Sequence, residues 1–157
     1  MKILFTFLFI SFLHASCPFC TKQILETQSF YETDKAIALY THKPVLESHC
    51  LILPKRHIER FEDLSYEEMR EMQFLINKVN LAAQKVFQTS SYLLLQKNGT
   101  EVGQTVPHMH FHYIARKKGD SSTLKFLANM FISSIKSPIS EEEMQAKTAL
   151  LQEALQD

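Results

Sequence analysis

The run GQTVPHMHFHYIAR, residues 103–116, places three histidines two residues apart in an apolar context. Side chains at positions i, i+2 and i+4 of a β-strand project from one face, so a strand here would present His108, His110 and His112 as a ladder. The residues between them suit the packed opposite face of such a strand: Met109, Phe111 and Tyr113. Imidazole acts as an acid, a base, a nucleophile or a metal ligand near neutral pH, so the row predicts a functional site.

Length and charge limit the kind of protein this can be. The 157 residues are enough for one domain with a sizeable core. The 17 basic and 17 acidic residues give a formal net charge of zero, so a nucleic-acid partner is not expected. Any anionic ligand must therefore be bound by local charges.

The first sixteen residues differ from the rest of the chain. Lys2 precedes an apolar run over residues 3–13, and small residues follow at Ala15 and Ser16. This pattern is typical of a signal peptide cleaved after Ala15, and a buried N-terminal strand or helix is the alternative. The run is too short to span a bilayer, so no stable membrane span is expected. Export to the periplasm follows if the segment acts as a signal, and a cytoplasmic location if it does not.

The remaining pattern predicts strands before and after one long helix. The helix begins after Ser65, where Ser65 and Glu68 can form a capping box, and its apolar residues recur every three or four positions. A short helix is predicted over residues 21–27. Apolar, β-branched and aromatic runs predict further strands at residues 29–32, 35–41, 49–53 and 92–96.

Two more helices are predicted after the histidine strand. The last helix starts at Ser140, after a break at Ser137 and Pro138. The first carries one apolar stripe: Leu124, Leu127, Ala128, Phe131 and Ile135. This order of elements predicts an α+β fold with a mainly antiparallel sheet, one long helix and additional C-terminal helices.

Three landmarks in this chain resemble the histidine triad (HIT) family of nucleotide hydrolases and transferases. The His-x-His-x-His run preceded by Gly-Gln-Thr, residues 103–112, is similar to the family signature. SHCLILPKRH, residues 48–57, looks like its second landmark, and CPFC, residues 17–20, is similar to the opening of bacterial zinc-containing HIT hydrolases. The resemblance implies the HIT-like fold.

The N-terminal pattern, the resemblance and the predicted C-terminal helices together predict three regions. Residues 1–16 would be the signal peptide and residues 17–118 the HIT domain. Residues 119–157 would be a C-terminal helical extension packed on the same domain.

The chemistry that the resemblance implies is hydrolysis or nucleotidyl transfer at the α-phosphate of a purine nucleotide derivative. His110 would attack phosphorus and form a nucleotidyl-histidine intermediate, which water would convert to a nucleoside monophosphate, while a backbone carbonyl orients the other ring nitrogen. His112 and His49 would hold or polarise the phosphate oxygens. Nucleoside phosphoramidates, dinucleoside polyphosphates and aminoacyl-adenylates remain open as substrates. The other substrate-binding residues would be Lys97, Asn98, Gln104 and Thr105.

Two positions depart from the family pattern. Ser48 stands where a glycine is usual, which could shift the approach to the ribose. Lys97 stands where a polar amide is expected. A lysine there could attract a more negatively charged substrate such as a polyphosphate, or could point into water.

Cys17 and Cys20, together with His57 and His108, form a second candidate site. Two cysteines separated by two residues can bind one metal ion from a single turn, and two histidines complete a tetrahedral Cys₂His₂ zinc site. By resemblance to bacterial members, we expect a structural Zn²⁺ that removes His108 from catalysis. A disulfide between the two cysteines is the alternative if the chain is exported.

Two other functions are compatible with these residues. One is a metal-binding protein of the cell envelope that uses the histidine row and the cysteine pair for zinc or copper. The other is a nucleotide-binding regulator without turnover. The resemblance further implies a homodimer formed through the long helix and a sheet edge.

Overall fold

A computed structural model describes residues 17–133 and 135–156, so the predicted signal peptide lies outside the described residues. Its strands form one sheet in the order β1-β2-β3-β5-β4, and every neighbouring pair is antiparallel. The predicted α+β class with an antiparallel sheet is confirmed. The strands are β1 (Ser29–Glu32), β2 (Ala36–Tyr40), β3 (His49–Pro54), β4 (Tyr92–Gln96) and β5 (Phe111–Ala115).

The α-helices of the described residues lie before, between and after the strands. They are α1 (Lys22–Gln28), α2 (Tyr66–Phe87), α3 (Thr123–Ile132) and α4 (Glu141–Glu153). The predicted capping box of α2 is confirmed. Ser65 Oγ accepts the N–H of Glu68, and the Glu68 carboxylate accepts the N–H of Ser65. The same carboxylate accepts two hydrogen bonds from Arg56, at 2.9 and 2.8 Å. This contact ties the turn that follows β3 to the start of α2.

The sheet is buried on both faces over β2 and β3, which explains their continuous apolar sequences. On one face the sheet packs against α2 and α4, with core residues such as Ala38, Ile52, Met72, Leu75, Val79, Tyr113 and Leu151. On the other face, a smaller cluster packs against α1 and the N-terminal turn, Pro18–Cys20. Its buried residues are Phe19, Ile37, Leu39, Leu51 and Leu53. The catalytic candidates lie on this second face.

The histidine run is less regular than predicted. Only His112 of the three lies within β5, because the strand begins at Phe111. The N–H of Met109 donates to the carbonyl of Ile58 at 2.7 Å, which draws the chain away from the sheet before β5 begins. The expectation for the opposite face holds, since Met109 and Tyr113 are fully buried in the core.

The helix α3 does not bury the stripe identified in its sequence. Leu124 and Phe131 are 79% and 80% exposed. The residue that anchors α3 is Phe126, which packs with Val45 and Ile114. The Arg116 guanidinium stacks over the Phe126 ring at 4.3 Å. The spacing identified the helix, but a position outside the stripe makes the tertiary contact.

Ser48 has a structural contact in this fold. Its hydroxyl donates to the carbonyl oxygen of Ala115 at 2.7 Å, and the side chain is buried. This bond joins β3 to the end of β5 immediately beside His49. Among the described residues, no helix is both long and apolar enough to cross a membrane.

Candidate active site

Three of the predicted site histidines meet on the face of the sheet opposite α2. His49 begins β3, His112 lies on β5, and His110 comes just before β5. His112 pairs across the strands with Leu51, which belongs to the core cluster on that face. The ring centroids of His110 and His112 are 4.8 Å apart, and those of His49 and His112 are 5.1 Å apart. The fold therefore brings together residues that are about sixty positions apart in the chain.

A chain of hydrogen bonds sets the proton positions on two of these rings. The backbone N–H of Val45 donates to Nδ1 of His49 at 3.2 Å, so that nitrogen carries no proton. Nε2 of His49 then donates to Nδ1 of His112 at 2.9 Å. The proton of neutral His112 is consequently on Nε2, where it can be donated to a bound oxygen. Sequence reasoning missed Val45, because a backbone donor leaves no signal in the side-chain pattern.

His110 is oriented by the backbone that precedes it. Its Nδ1 lies 2.6 Å from the carbonyl oxygen of His108, so Nδ1–H donates and Nε2 keeps its lone pair. The ring of Phe19 packs against it with centroids 5.2 Å apart. A neutral imidazole held in this way is suited to nucleophilic attack through Nε2.

Burial keeps these histidines uncharged. It lowers the pKa of His49 to about 3, and the charges of His110 and Lys97 act in the same direction. Burial is also the largest cause that lowers the pKa of His112 and of His110. An imidazolium in this position would lose its hydration without gaining a counter-ion, so the neutral rings are favoured at pH 7.

Side-chain amides shape the loop between β4 and β5. Gln104 accepts the N–H of Gly99 at 2.7 Å and donates to the carbonyl of Glu59 at 2.9 Å. Asn98 accepts the N–H of Phe61 at 2.9 Å. Both of these predicted substrate-binding amides are thus hydrogen-bonded within the protein, where they hold the loop against the turn that follows β3.

The other two predicted substrate-binding residues are placed differently. Thr105 is exposed just ahead of the histidines, and Lys97 is half-buried at the end of β4. These two side chains, unlike the amides, have no hydrogen-bonding or ionic partner within residues 17–133 and 135–156. They are therefore available to an incoming ligand.

The four predicted metal ligands lie together beside the histidine site. Their ligand atoms are all within 4.8 Å of one another: Cys17, Cys20, His57 and His108. Nδ1 of His108 is 3.4 Å from Sγ of Cys17 and 3.6 Å from Sγ of Cys20, and Nδ1 of His57 is 3.5 Å from the same Cys20 sulfur. Zn–S and Zn–N bonds in a tetrahedron place sulfur and nitrogen about 3.5 Å apart. The spacing therefore fits a zinc ion.

The surroundings of this cluster also suit a cation. Nε2 of His108 donates to the carbonyl of Pro54 at 2.9 Å, which leaves Nδ1 unprotonated and directed at the sulfurs. Burial and the neighbouring Cys17 raise the pKa of Cys20 to about 11. A divalent cation would reverse that effect and favour both thiolates. Cys17 and Cys20 are free thiols here, not a disulfide.

Comparison with known proteins identifies the family of this domain. A family model described as the HIT domain matches residues 22–119, which is more than half of the chain. The chain belongs to the HIT family. The family resemblance inferred from the sequence is thus confirmed, as is the expected antiparallel sheet.

Relatives of this HIT protein include named hydrolases. It is 32% identical over 128 residues to a bis(5'-adenosyl)-triphosphatase of Dictyostelium discoideum, covering 82% of this chain and 85% of the relative. It is 38% identical over 96 residues to an asymmetrical bis(5'-nucleosyl)-tetraphosphatase of Schizosaccharomyces pombe, covering 61% of this chain. That match spans about half, 53%, of the fission-yeast protein.

A solved structure confirms the fold over most of the chain. A zinc-bound histidine triad family protein from Mycobacterium smegmatis superposes with a TM-score of 0.67 at 22% identity. The match covers 90% of this chain and 94% of that protein. The HIT fold therefore extends over nearly all of the described residues.

The buried neutral state of His49 predicts a pH-dependent stability. Its folded-state pKa lies below the unfolded value near 6.5, so the unfolded chain binds more protons between these values. The contribution is fully present above pH 6.5 and is lost as the pH falls toward 3. His49→Asn, whose amide oxygen can still accept from Val45, should make the free energy of unfolding fall by about 2 kcal/mol less between pH 7 and pH 5.

Urea denaturation at several pH values measures this difference. Any loss of a bound metal on acidification is common to both proteins and cancels in the comparison. The exposed His42 offers a matched control, because His42→Asn should alter the pH dependence less than His49→Asn. An equal change in the free energy of unfolding between pH 7 and pH 5 in the wild type and in His49→Asn would contradict the prediction.

Proposed function

We propose that this HIT protein hydrolyses a purine nucleotide derivative at its α-phosphate through a covalent nucleotidyl-histidine intermediate on His110. The observation that supports this most directly is the 2.6 Å contact between Nδ1 of His110 and the carbonyl of His108. It leaves Nε2 unprotonated and fixes its direction. The relatives named as dinucleoside polyphosphate hydrolases support the same reaction class.

The proposed reaction has two displacements at phosphorus. In the first, the Nε2 lone pair of His110 forms an N–P bond while the bond from the α-phosphorus to the leaving group breaks, and the leaving group takes up a proton from solvent. In the second, water forms an O–P bond, the N–P bond breaks, and the proton lost by water goes to solvent. The products are a nucleoside monophosphate and free His110. Dividing one difficult displacement in two is the general advantage of covalent catalysis.

His112 and His49 are proposed to stabilise the phosphate during these steps. The hydrogen-bond chain that starts at Val45 leaves Nε2–H of His112 available to a phosphoryl oxygen. A donor that is already oriented requires no reorganisation as charge develops on that oxygen. Lys97, Asn98, Gln104 and Thr105 are proposed to bind the substrate, and Gln104 and Asn98 also hold the loop between β4 and β5 in place.

We further propose that the cysteine and histidine cluster binds a structural Zn²⁺, as in bacterial zinc-containing HIT proteins. The supporting observations are the separations near 3.5 Å and the hydrogen bond that orients His108. The solved structure from Mycobacterium smegmatis is described as zinc-bound. Bound zinc would link the N-terminal turn to the turn after β3 and to the backbone that orients His110.

A homodimer is proposed through the long helix α2 and an edge of the sheet. Within the described part of the chain, β4 pairs with β5 on one side and has no strand on the other. Its side chains Tyr92, Leu93 and Leu94 are 42%, 36% and 36% exposed. An apolar open edge is a site for strand pairing, so a second copy would satisfy both the backbone and the side chains.

The proposed division of the chain keeps the signal peptide at residues 1–16, the HIT domain at residues 17–118 and the helical extension from residue 119. Contacts of α4 support its docking on the same domain, because Met144 and Leu151 are buried in the core beside α2. The N–H of Ile139 also donates to the carbonyl of His42 at 2.9 Å.

The covalent intermediate can be tested by intact-protein mass spectrometry. Brief incubation with adenosine 5'-phosphoramidate or diadenosine triphosphate should give a transient adenylyl adduct and release AMP. His110→Asn should form no adduct and release AMP about a thousandfold more slowly or less, because the nucleophile is absent. His42→Asn removes an exposed histidine outside the site and should behave like the wild type. A folded wild type without adduct and without AMP would favour a metal-binding or regulatory role.

The zinc proposal predicts one Zn²⁺ per chain by elemental analysis. Cys20→Ser should lose the metal and lower the melting temperature by several degrees, because the remaining ligands no longer complete the tetrahedron. Cys50→Ala removes a buried cysteine outside the cluster and should keep the metal. Full zinc content in Cys20→Ser, or a wild-type mass lower by the two hydrogens of a disulfide, would contradict the proposal.

The dimer proposal predicts twice the monomer mass in light scattering after size exclusion. Leu94→Glu should shift the protein to the monomer, since it places a charge on the open edge. Leu150→Glu is the matched control, because Leu150 is 42% exposed on α4, which packs at the opposite edge of the sheet. A dimer that survives Leu94→Glu, or a monomeric wild type, would refute this interface.

A further inference from the structure

The pairing of β4 with β5 determines the face of the sheet on which Lys97 lies. It follows β4, whose register against β5 pairs Leu95 with His112 and Gln96 with Phe111. Continued by one residue beyond the two strands, this register would bring Lys97 opposite His110. Because side chains alternate along a strand, Lys97 leaves the backbone on the face that carries His110 and His112.

The side chain of Lys97 folds back over the loop. Its Nζ is 3.6 Å from the position that a Cβ on Gly103 would occupy. Gly103 has φ of +83°, a conformation that favours glycine, and the ammonium group lies close beside this residue. The side chain is half-buried. The charge therefore lies beside the loop that leads into the site histidines.

No negative charge balances Lys97 in the structure. Across residues 17–133 and 135–156, no carboxylate forms an ion pair with it. The nearby Glu62 is already engaged by Arg60 and Asn98. The groups that feel its charge are His49, His110 and His112, whose pKa values it helps to lower. A cation beside three neutral rings has no opposite charge to interact with until an anion binds between them.

We propose that Lys97 makes the site select substrates whose leaving group carries negative charge, such as a polyphosphate, over those with an uncharged leaving group. This rests on the proposed function. One esterified α-phosphate bears a single negative charge, which the hydrogen-bond donor of His112 can already contact. The additional charge of a polyphosphate leaving group needs a cation, and Lys97 supplies one without an ion pair having to be broken.

The measurement is the ratio of kcat/KM for diadenosine triphosphate to kcat/KM for adenosine 5'-phosphoramidate. Both substrates present an adenylyl group, so effects on its attack cancel in the ratio. Lys97→Gln should lower the ratio about tenfold, the loss expected when one charged hydrogen bond becomes neutral. Lys97→Arg should keep most of it. Lys85→Gln removes the same charge from the exposed end of α2 and should leave the ratio unchanged.

Each outcome decides between the alternatives. Equal losses in kcat/KM for both substrates in Lys97→Gln, which leave the ratio unchanged, would mean that Lys97 acts on the shared adenylyl phosphate. Unchanged kcat/KM values for both substrates would mean that Lys97 is merely solvated. Either result overturns the proposal. Calorimetric binding of inorganic diphosphate gives an arm that does not depend on turnover. If the wild type cleaves neither substrate but binds diphosphate more tightly than Lys97→Gln, the proposed hydrolysis fails while the anion selectivity of Lys97 stands. If diphosphate binding is also equal in both, the selectivity fails as well.

Discussion

The 2.6 Å hydrogen bond from Nδ1 of His110 to the carbonyl of His108 is the contact on which the site depends. It requires the backbone to turn at His108 before β5 begins. The same residue directs its ring the other way, with Nε2 on the carbonyl of Pro54 and Nδ1 toward the two cysteines. One residue thus orients His110 through its backbone and contacts the thiols through its side chain. His108 therefore connects the candidate catalytic histidines to the candidate metal cluster.

Hydrogen-bond direction and burial act together at the remaining histidines. The donor at Val45 sets the tautomer of His49, and His49 in turn sets that of His112. Because the rings are neutral, each has one proton whose place is determined by its neighbour. A site assembled in this way presents a lone pair at His110 and a donor at His112 before a substrate arrives. Beside these neutral rings, Lys97 carries a half-buried positive charge.

Local patterns predicted the parts of the fold that depend on neighbouring residues. The capping box at Ser65 predicted the start of α2, since its hydrogen bonds close within three residues. The expected helix at α3 is present as well, but the predicted stripe remains exposed while Phe126 makes the contact. Helical spacing cannot say which side of a short, largely apolar helix will meet the domain. Ser48 was likewise noted as a departure from the family pattern. Its hydrogen bond to the carbonyl of Ala115 joins two segments that are remote in sequence.

The amino-acid sequence alone was enough for the fold class, the family resemblance and the set of histidines and cysteines, because side-chain type and spacing are local properties. The regular ladder of three histidines was wrong in detail: His108 leaves the sheet, since the N–H of Met109 is taken by Ile58, far away in the chain. The tautomers, the position of Lys97 and the separations among the candidate metal ligands emerged only from tertiary structure. They depend on backbone groups and distances between segments that are remote in sequence, and no spacing rule encodes these.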